Sequence, residues 1–256
     1  MATKAKGNGI LLLPSEVRAD ALVVRQPING KRRFTARDAL TTVDLVHGAP
    51  WQPPPRSRHQ RGRSGVYFFA STRRHVGYAS LQEESLLLAL DHSQSVAAVL
   101  AQPFKLFFRR GDEKKDHVPD FFAVHHDGAQ NIWEVRPLEL IDVDLAREAA
   151  LTREFCRDVG FGYFAFDGMR TVTKKTLLFL HAYSDPRRYA PPPKMRDALL
   201  EQFASPSSMR AAVESLREPP WVTRMWVYHL MWTRQLDFDH SRALSDSRPM
   251  HTVGGA

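Results

Sequence analysis

The sequence predicts an α/β protein whose mixed β-sheet is flanked by helices, and two observations carry this prediction. Residues 118–124 and 132–135 are apolar runs of strand length, and the polar loop between them contains Asp127 and Gly128, a strong hairpin signal. Residues 145–159 have the apolar spacing of an amphipathic helix, and an aromatic strand follows at 161–166. Strands and helices in this order are typical of a mixed sheet covered by helices.

Further elements complete a predicted core domain at residues 66–168. Residues 66–70 predict a strand, and Ser80 predicts the N-cap of a helix that runs to residue 90, with Glu83 in the capping-box position. Residues 104–108 predict another strand, followed by a polar turn at 109–116. Gly160 is expected to end the helix at 145–159.

Residues 169–256 predict a second, mainly helical domain. After a short apolar segment at 176–181 and three consecutive prolines at 191–193, helical patterns occupy 194–203, 208–216 and 221–232. A strand-like alternation follows at 236–239. Helices followed by a short hairpin are typical of a winged-helix-like module.

Residues 1–65 predict a basic, partly extended arm. They contain three consecutive prolines at 53–55, which cannot contribute to a core, and spaced basic residues that suit contact with a phosphate backbone. An ordinary linker or a disordered tail explains the same composition. The candidate DNA-binding residues of the arm are Lys31, Arg32, Arg33, Arg56, Arg58, Arg61 and Arg63.

The distribution of charge is more informative than its total of +8. Residues 1–75 have 14 Lys and Arg against 4 Asp and Glu, residues 76–169 have 9 against 16, and residues 170–256 have 13 against 8. An acidic centre between basic flanks suits a metal-dependent enzyme that acts on nucleic acid, because carboxylates bind cations and the flanks bind phosphates. Ordinary solvated surface charge is the alternative.

Composition also limits the class of protein. Cys156 is the single cysteine among 256 residues, which excludes an internal disulfide and a multi-cysteine zinc site. It is expected to be a small core residue of its helix and not a nucleophile. The apolar run at 10–13 is too short for a signal peptide or a membrane span, so a cytoplasmic protein without membrane contact is expected.

Two carboxylates and a guanidinium form the candidate site. Side chains alternate along a strand, so Glu134 and Arg136 share one face, and Asp120 of the preceding strand is expected to face the same side. Carboxylates on a buried sheet are costly unless they bind a cation, and phosphodiester hydrolysis needs carboxylates that hold one or two divalent metal ions. Glu83, on the flanking helix, can supply a third carboxylate. In the alternative interpretation, Glu134 and Arg136 form an edge-strand ion pair and Asp120 caps a turn after Pro119.

In its order of motifs, the segment 79–168 resembles the PD-(D/E)xK nuclease superfamily and, more closely, the TnsA-like endonuclease subunit of heteromeric transposases. The matching features are Ser80 to Glu83, Leu90-Asp91, Gln102-Pro103, His117-Val118-Pro119-Asp120-Phe121 and Glu134-Val135-Arg136-Pro137, followed by the helix containing Ala146 to Cys156 and then Gly160. The resemblance covers about a third of the chain and implies a restriction-endonuclease-like core.

The resemblance implies roles for single residues. Glu83, Asp120 and Glu134 match the metal-binding positions for Mg²⁺ or Mn²⁺, and Arg136 stands where the superfamily usually has lysine. Glu84 is the alternative to Glu83, although the distance to Asp91 favours Glu83. Arginine stays charged near neutral pH, so Arg136 can only orient or stabilise groups at the site.

A transposon-end DNA endonuclease is the function that the resemblance implies, with DNA, a DDE-type transposase subunit and an ATPase regulator as partners. Two alternatives are a catalytically weak or inactive DNA-binding or assembly subunit with the same fold, and a restriction or repair nuclease of the same superfamily. A zinc site at His117, His125 and His126 is disfavoured because no second His or Cys cluster completes it.

Overall fold

The computed structural model describes residues 45–51, 63–110, 113–137 and 143–253, together with two short strands at 22–25 and 33–35; of residues 22–25, 33–35, 109, 110 and 113–115 only the backbone is described. The strands are β1 (Leu22–Arg25), β2 (Arg33–Thr35), β3 (Gly65–Phe69), β4 (Arg74–Tyr78), β5 (Val96–Ala101), β6 (Phe104–Arg110), β7 (Glu113–His117), β8 (Phe121–His125), β9 (Gln130–Val135), β10 (Gly162–Phe166), β11 (Ser207–Ser208), β12 (Leu236–Phe238) and β13 (Pro249–Thr252). The helices are α1 (Leu81–His92), α2 (Val143–Val159), α3 (Thr171–His181), α4 (Pro186–Tyr189), α5 (Pro193–Gln202), α6 (Met209–Ser215) and α7 (Pro220–Trp232).

The chain forms two compact units that interleave along the sequence. Of the described residues, those in the ranges 1–64, 76–79 and 97–167 form the first unit, and those in the ranges 65–75, 80–96 and 168–256 form the second. Helix α1, expected in the core domain, therefore belongs with the C-terminal helices. The predicted domains at 1–65, 66–168 and 169–256 stay predictions.

A mixed sheet forms the centre of the first unit, in the order β10-β9-β8-β5. Strands β8 and β9 are antiparallel, with Phe121 opposite Trp133, whereas β9 and β10 are parallel. The hairpin predicted at Asp127 and Gly128 is present, and Gly128 has a φ of 85°, a conformation that favours glycine. The mixed α/β class predicted from the sequence is confirmed.

A second sheet in the first unit has the order β2-β1-β6-β7, and each pair of neighbouring strands is antiparallel. Strand β7 begins within the segment 109–116, for which a turn was the expectation, and ends at His117; β1 and β2 lie within the predicted arm. The prediction of a turn is wrong for β7. A strand was not expected there because the sequence Glu-Lys-Lys-Asp-His has no apolar alternation. Pairing with β6 supplies the backbone hydrogen bonds that its composition does not indicate.

Aromatic and aliphatic side chains from both sheets and α2 form one core. Alternate residues of β6 are buried in it, as the period of a strand requires. Its buried members are Leu45, Phe104, Leu106, Phe108, Phe122, Ile132, Leu151, Phe155, Cys156, Val159 and Phe161. Each of the larger side chains stabilises the fold by about 1.5–3 kcal/mol through burial. Gly160, at φ 76°, ends α2 as expected.

The second unit is mainly helical. Ser80 caps α1 as predicted, since its hydroxyl accepts a hydrogen bond from the Glu83 N–H at 3.1 Å. Helix α7 packs against α3, α4 and α6, and the strands near the C-terminus form a three-stranded sheet in the order β11-β13-β12. Helices predicted at 194–203, 208–216 and 221–232 match α5, α6 and α7, while the apolar segment at 176–181 is part of α3.

A fully buried carboxylate, Asp91, joins α1 to the residues that follow β3. It accepts hydrogen bonds from the Tyr67 hydroxyl at 3.1 Å and from the backbone N–H groups of Ala70 at 2.7 Å and Ser71 at 3.0 Å. Burial raises the pKa of Asp91, and the backbone hydrogen bonds oppose this rise. Because its oxygens are occupied by structural partners, Asp91 stabilises the second unit.

No helix within the described ranges is long and apolar enough to cross a lipid bilayer.

His92, at the end of α1, is a buried histidine in the second unit. Its Nε2–H donates to the Met231 carbonyl at 3.3 Å, and its ring lies 5.4 Å from the Trp232 ring. Burial lowers the pKa of His92 to about 4, and the charges of His240 and Arg234 act in the same direction. The folded state therefore contains the neutral imidazole at neutral pH.

This buried imidazole predicts a loss of stability in acid. A lowered folded-state pKa means that the contribution of His92 is complete above its unfolded pKa of about 6.5 and is lost as the pH falls toward about 4. We expect His92→Gln, which keeps a donor for the Met231 carbonyl, to reduce the fall in unfolding free energy between pH 7 and pH 4 by on the order of 2–3 kcal/mol. Urea unfolding at both pH values measures this. His251→Gln, at an exposed position of β13, is the matched control, and equal pH dependence of both variants would contradict the prediction.

Candidate functional site

The site lies on the mixed sheet of the first unit, where β9 carries Glu134 and is followed directly by Arg136. Ile132 and Glu134 share the buried face of β9, and Glu134 is only 2% exposed. Asp120 directly precedes β8, the antiparallel neighbour of β9. The hairpin therefore brings Asp120 beside the end of β9, as the strand pattern predicts.

Arg136 contacts both predicted carboxylates. Its NH1 donates to Asp120 Oδ2 at 3.0 Å and to the Val135 carbonyl at 2.9 Å, and its NH2 lies 3.2 Å from Glu134 Oε2. The structure thus brings together Asp120, Glu134 and Arg136. Their catalytic and metal-binding roles stay predictions.

Backbone hydrogen bonds fix the position of Asp120. The Val135 N–H donates to Asp120 Oδ2 at 2.7 Å, and the Asp120 carbonyl accepts from the Gln102 N–H at 2.8 Å. The Gln102 carbonyl in turn accepts from the Trp51 N–H at 2.7 Å. Burial raises the pKa of Asp120 to about 6 and the charge of Glu134 adds to this rise, while Arg136 opposes it.

A buried histidine bridges two carboxylates beside this group. His117 Nε2 lies 2.5 Å from Glu134 Oε1, and His117 Nδ1 lies 2.8 Å from Glu148 Oε1 of α2. Burial alone would lower the pKa of His117, but the hydrogen bonds to Glu134 and Glu148 outweigh it and raise the pKa to about 9. His117 is therefore an imidazolium at neutral pH, and both of its ring nitrogens donate.

The sequence pattern does not single out Glu148, and it assigns His117 no role beyond a disfavoured zinc site, although His117 begins one of the matching motifs. A signal for Glu148 exists, because it lies on the same face of α2 as Leu151, Thr152 and Cys156, which are buried. An acidic residue on the core face of an amphipathic helix needs a cationic partner. That partner is His117.

One oxygen of the site has no complete set of partners. Glu134 Oε2 is buried and accepts no hydrogen bond from the described residues, although it is ion-paired with Arg136. A cavity of about 40 Å³ adjoins it, enough for one or two water molecules. The cavity is lined by His117, Glu134, Arg136, Leu145, Glu148, Ala149, Tyr163 and Ala165.

The donor chemistry of this group suits a hard cation. Two carboxylates and a backbone carbonyl are the ligand types that Mg²⁺ and Mn²⁺ prefer, and the incompletely bonded Glu134 Oε2 needs positive charge. Within the described part of the chain, however, no three His, Cys, Asp or Glu side chains are arranged to hold a metal ion. The arginine side chain supplies the cation in this conformation.

Glu83 lies on α1 in the second unit, and its expected approach to Asp120 and Glu134 stays a prediction. Its carboxylate accepts a hydrogen bond from the Ser80 hydroxyl at 3.2 Å, whereas the reciprocal bond of a capping box comes from the backbone N–H of the N-cap residue. The alternative residue, Glu84, is ion-paired with Lys174 at 2.8 Å.

The remaining candidates lie in different places. His125 contacts the Asn131 side chain within the hairpin, and His126 is exposed in the β8–β9 turn. Cys156 is buried in the core, where burial raises its pKa to about 12, so it is an inert thiol at neutral pH.

The candidate DNA-binding residues of the arm lie mostly outside the described residues. Of these, Arg63 is described and exposed, Arg33 lies in β2 with its backbone alone described, and Lys31, Arg32, Arg56, Arg58 and Arg61 are outside the described ranges.

The sequence matches no protein-family model and no curated protein.

Proposed function

We propose that the chain is the endonuclease subunit of a transposase, and that it hydrolyses phosphodiester bonds in DNA at transposon ends with Mg²⁺ or Mn²⁺. The proposal rests on the resemblance of residues 79–168 to TnsA-like subunits of the PD-(D/E)xK superfamily. One geometric observation supports it most strongly. Asp120 and Glu134, which match the superfamily's carboxylates, both contact Arg136 at the end of one strand of a mixed sheet.

Asp120 and Glu134 would hold the metal ion, and Glu83 would be the third carboxylate ligand. A metal ion bound there would lower the pKa of its water and supply the nucleophile. Arg136, which stays charged, would orient the scissile phosphate and stabilise the developing negative charge. His117 would hold the Glu134 carboxylate in place through its Nε2 contact with Oε1.

The DNA and protein partners follow from charge and resemblance. The basic arm, with Arg33, Arg63 and its other arginines and lysines, would follow the phosphate backbone. The three-stranded sheet and helices of the second unit would form the winged-helix-like module. A DDE-type transposase subunit and an ATPase regulator are the proposed protein partners.

A second candidate function is a catalytically weak or inactive subunit that binds DNA and assembles the transposase. The observation that favours it is the internal neutralisation of the site, because His117 and Arg136 already pair with Glu134, Asp120 and Glu148. A restriction or repair nuclease of the same superfamily has the same chemistry and would act without transposase partners.

Nicking of supercoiled DNA tests the proposal. We expect the purified chain, mixed with its transposase and ATPase partners and Mn²⁺ or Mg²⁺, to convert supercoiled plasmid carrying a transposon end into nicked or linear DNA, and EDTA to prevent this. Absence of cleavage with partners and either metal would contradict the endonuclease and favour the assembly subunit. Cleavage of plasmids that lack a transposon end, without partners, would favour the restriction or repair nuclease.

A further inference from the structure

We propose that the Arg136 guanidinium acts as a built-in cation that closes the metal site, so that a divalent ion binds only when this side chain leaves. The proposal deepens the proposed function, because it concerns the regulation of the same site. It starts from three oxygens around one guanidinium: Asp120 Oδ2 at 3.0 Å, the Val135 carbonyl at 2.9 Å and Glu134 Oε2 at 3.2 Å.

These oxygens belong to β9 and to Asp120, which directly precedes β8, and contacts other than those of Arg136 hold both carboxylates. The Val135 N–H holds Asp120 Oδ2 at 2.7 Å, and His117 holds Glu134 Oε1 at 2.5 Å. The three oxygens of Asp120, Glu134 and Val135, here called the oxygen cage, therefore keep their positions when the arginine side chain moves. Metal ions of this kind bind oxygen at about 2.0–2.6 Å, so an ion that shares these three oxygens would overlap the guanidinium.

Burial makes the competition exclusive. The Glu134 side chain is 3% exposed, and its Oε2 accepts no hydrogen bond within the described residues. Such an oxygen needs one cation nearby, and a second cation beside Arg136 would repel it strongly in the low-dielectric interior.

Exposure indicates how the site opens. The Arg136 side chain is 31% exposed, whereas the side chains of Glu134 and His117 are 3% and 7% exposed. A long side chain at the surface can rotate outward into solvent, and a bound phosphate would give its guanidinium a new partner. DNA would then favour metal binding by taking Arg136 away from the carboxylates.

Mn²⁺ binding without DNA or partners tests this proposal. We expect Arg136→Ala to bind Mn²⁺ at least about 10-fold more tightly than wild type, since one competing charge is removed, as measured by the EPR signal of free Mn²⁺. Arg136→Lys, which keeps the charge, should stay near wild type. Arg157→Ala removes an exposed arginine of α2 and is the matched control.

The gain in Mn²⁺ affinity of Arg136→Ala must depend on the oxygen cage. We expect the double variant Asp120→Ala/Arg136→Ala to lose the tight Mn²⁺ binding of Arg136→Ala. Circular dichroism verifies folding, and Arg136→Met, which fills the space of the stem, replaces Arg136→Ala if the alanine variant unfolds. Equal Mn²⁺ affinity of wild type and Arg136→Ala (or Arg136→Met), or tight binding by the double variant, would overturn the proposal.

Binding and cleavage separate this inference from the proposed function. If Arg136→Ala binds Mn²⁺ tightly but wild type with its partners cuts no DNA, the closed cage stands and the endonuclease proposal fails. If wild type cuts DNA and Arg136→Ala gains no Mn²⁺ affinity, the endonuclease proposal stands and the closed cage fails. Arg136→Ala is expected to need less metal for half-maximal cleavage, and to cut about 10²–10³-fold more slowly at saturating metal.

Discussion

Asp120→Ala is expected to abolish DNA cleavage, by more than about 10³-fold, because the proposed metal ion loses a carboxylate ligand. The substitution also removes the acceptor for the Val135 N–H and for Arg136 NH1. DNA binding is expected to persist, since Asp120 is assigned to the metal and not to phosphate. Plasmid nicking measures cleavage, and a gel-shift assay measures DNA binding.

Two variants separate loss of chemistry from loss of structure. Asp120→Asn keeps the size of the side chain and an oxygen for the Val135 N–H, so it should fold and yet not cut. Asp116→Ala, at an exposed aspartate of β7 that pairs with Lys105, is the matched control and should cut like wild type. Cleavage by Asp120→Ala at the wild-type rate would contradict the assignment of Asp120 as a metal ligand.

His117→Leu is expected to give the largest loss of stability, about 3–5 kcal/mol, because it removes one partner of a buried charge network. Glu134 Oε1 and Glu148 Oε1 would each lose their contact with the imidazolium. Hydrogen–deuterium exchange of backbone amides in β8 and β9, followed by mass spectrometry, measures the loss within the first unit.

The expected loss has a specific origin that a double-mutant cycle detects. In His117→Leu, both Glu134 and Glu148 lose the imidazolium, and Glu148→Leu removes one of these two carboxylates. The loss of stability in His117→Leu/Glu148→Leu should therefore be smaller than the sum of the losses in the two single variants. His126→Leu changes an exposed histidine of the β8–β9 turn and should exchange like wild type. A loss below about 1 kcal/mol for His117→Leu would contradict the prediction, because it would mean that Glu134 and Glu148 need no cationic partner in the core.

Local rules of sequence predicted the part of the site that one hairpin builds. Strand alternation and the turn at Asp127 and Gly128 are properties of neighbouring residues, and they suffice to bring Asp120 beside Glu134 and Arg136. The capping of α1 by Ser80 and the end of α2 at Gly160 are local in the same way, and both are present.

Features that depend on distant pairing were not predictable in this way. Strand β7 consists mostly of charged residues, and its pairing with β6 defines it as a strand. His117 and Glu148 are 31 positions apart and meet only after α2 packs on the sheet. The period of α2 indicates that Glu148 faces inward, but no local pattern shows which cation it meets.

The interleaving of the two units limits where this chain can be shortened. A protein ending at residue 167 would retain α1 but lose α3 and α7, which α1 contacts through the Glu84–Lys174 ion pair and the His92–Met231 hydrogen bond. Leu86, Leu87, Leu88 and Leu90 of α1 are all buried in the complete chain. Without the C-terminal helices they would lose part of their cover, and the product would be prone to aggregation. A stop codon or a protease cut near residue 168 therefore does not release one folded unit from the other.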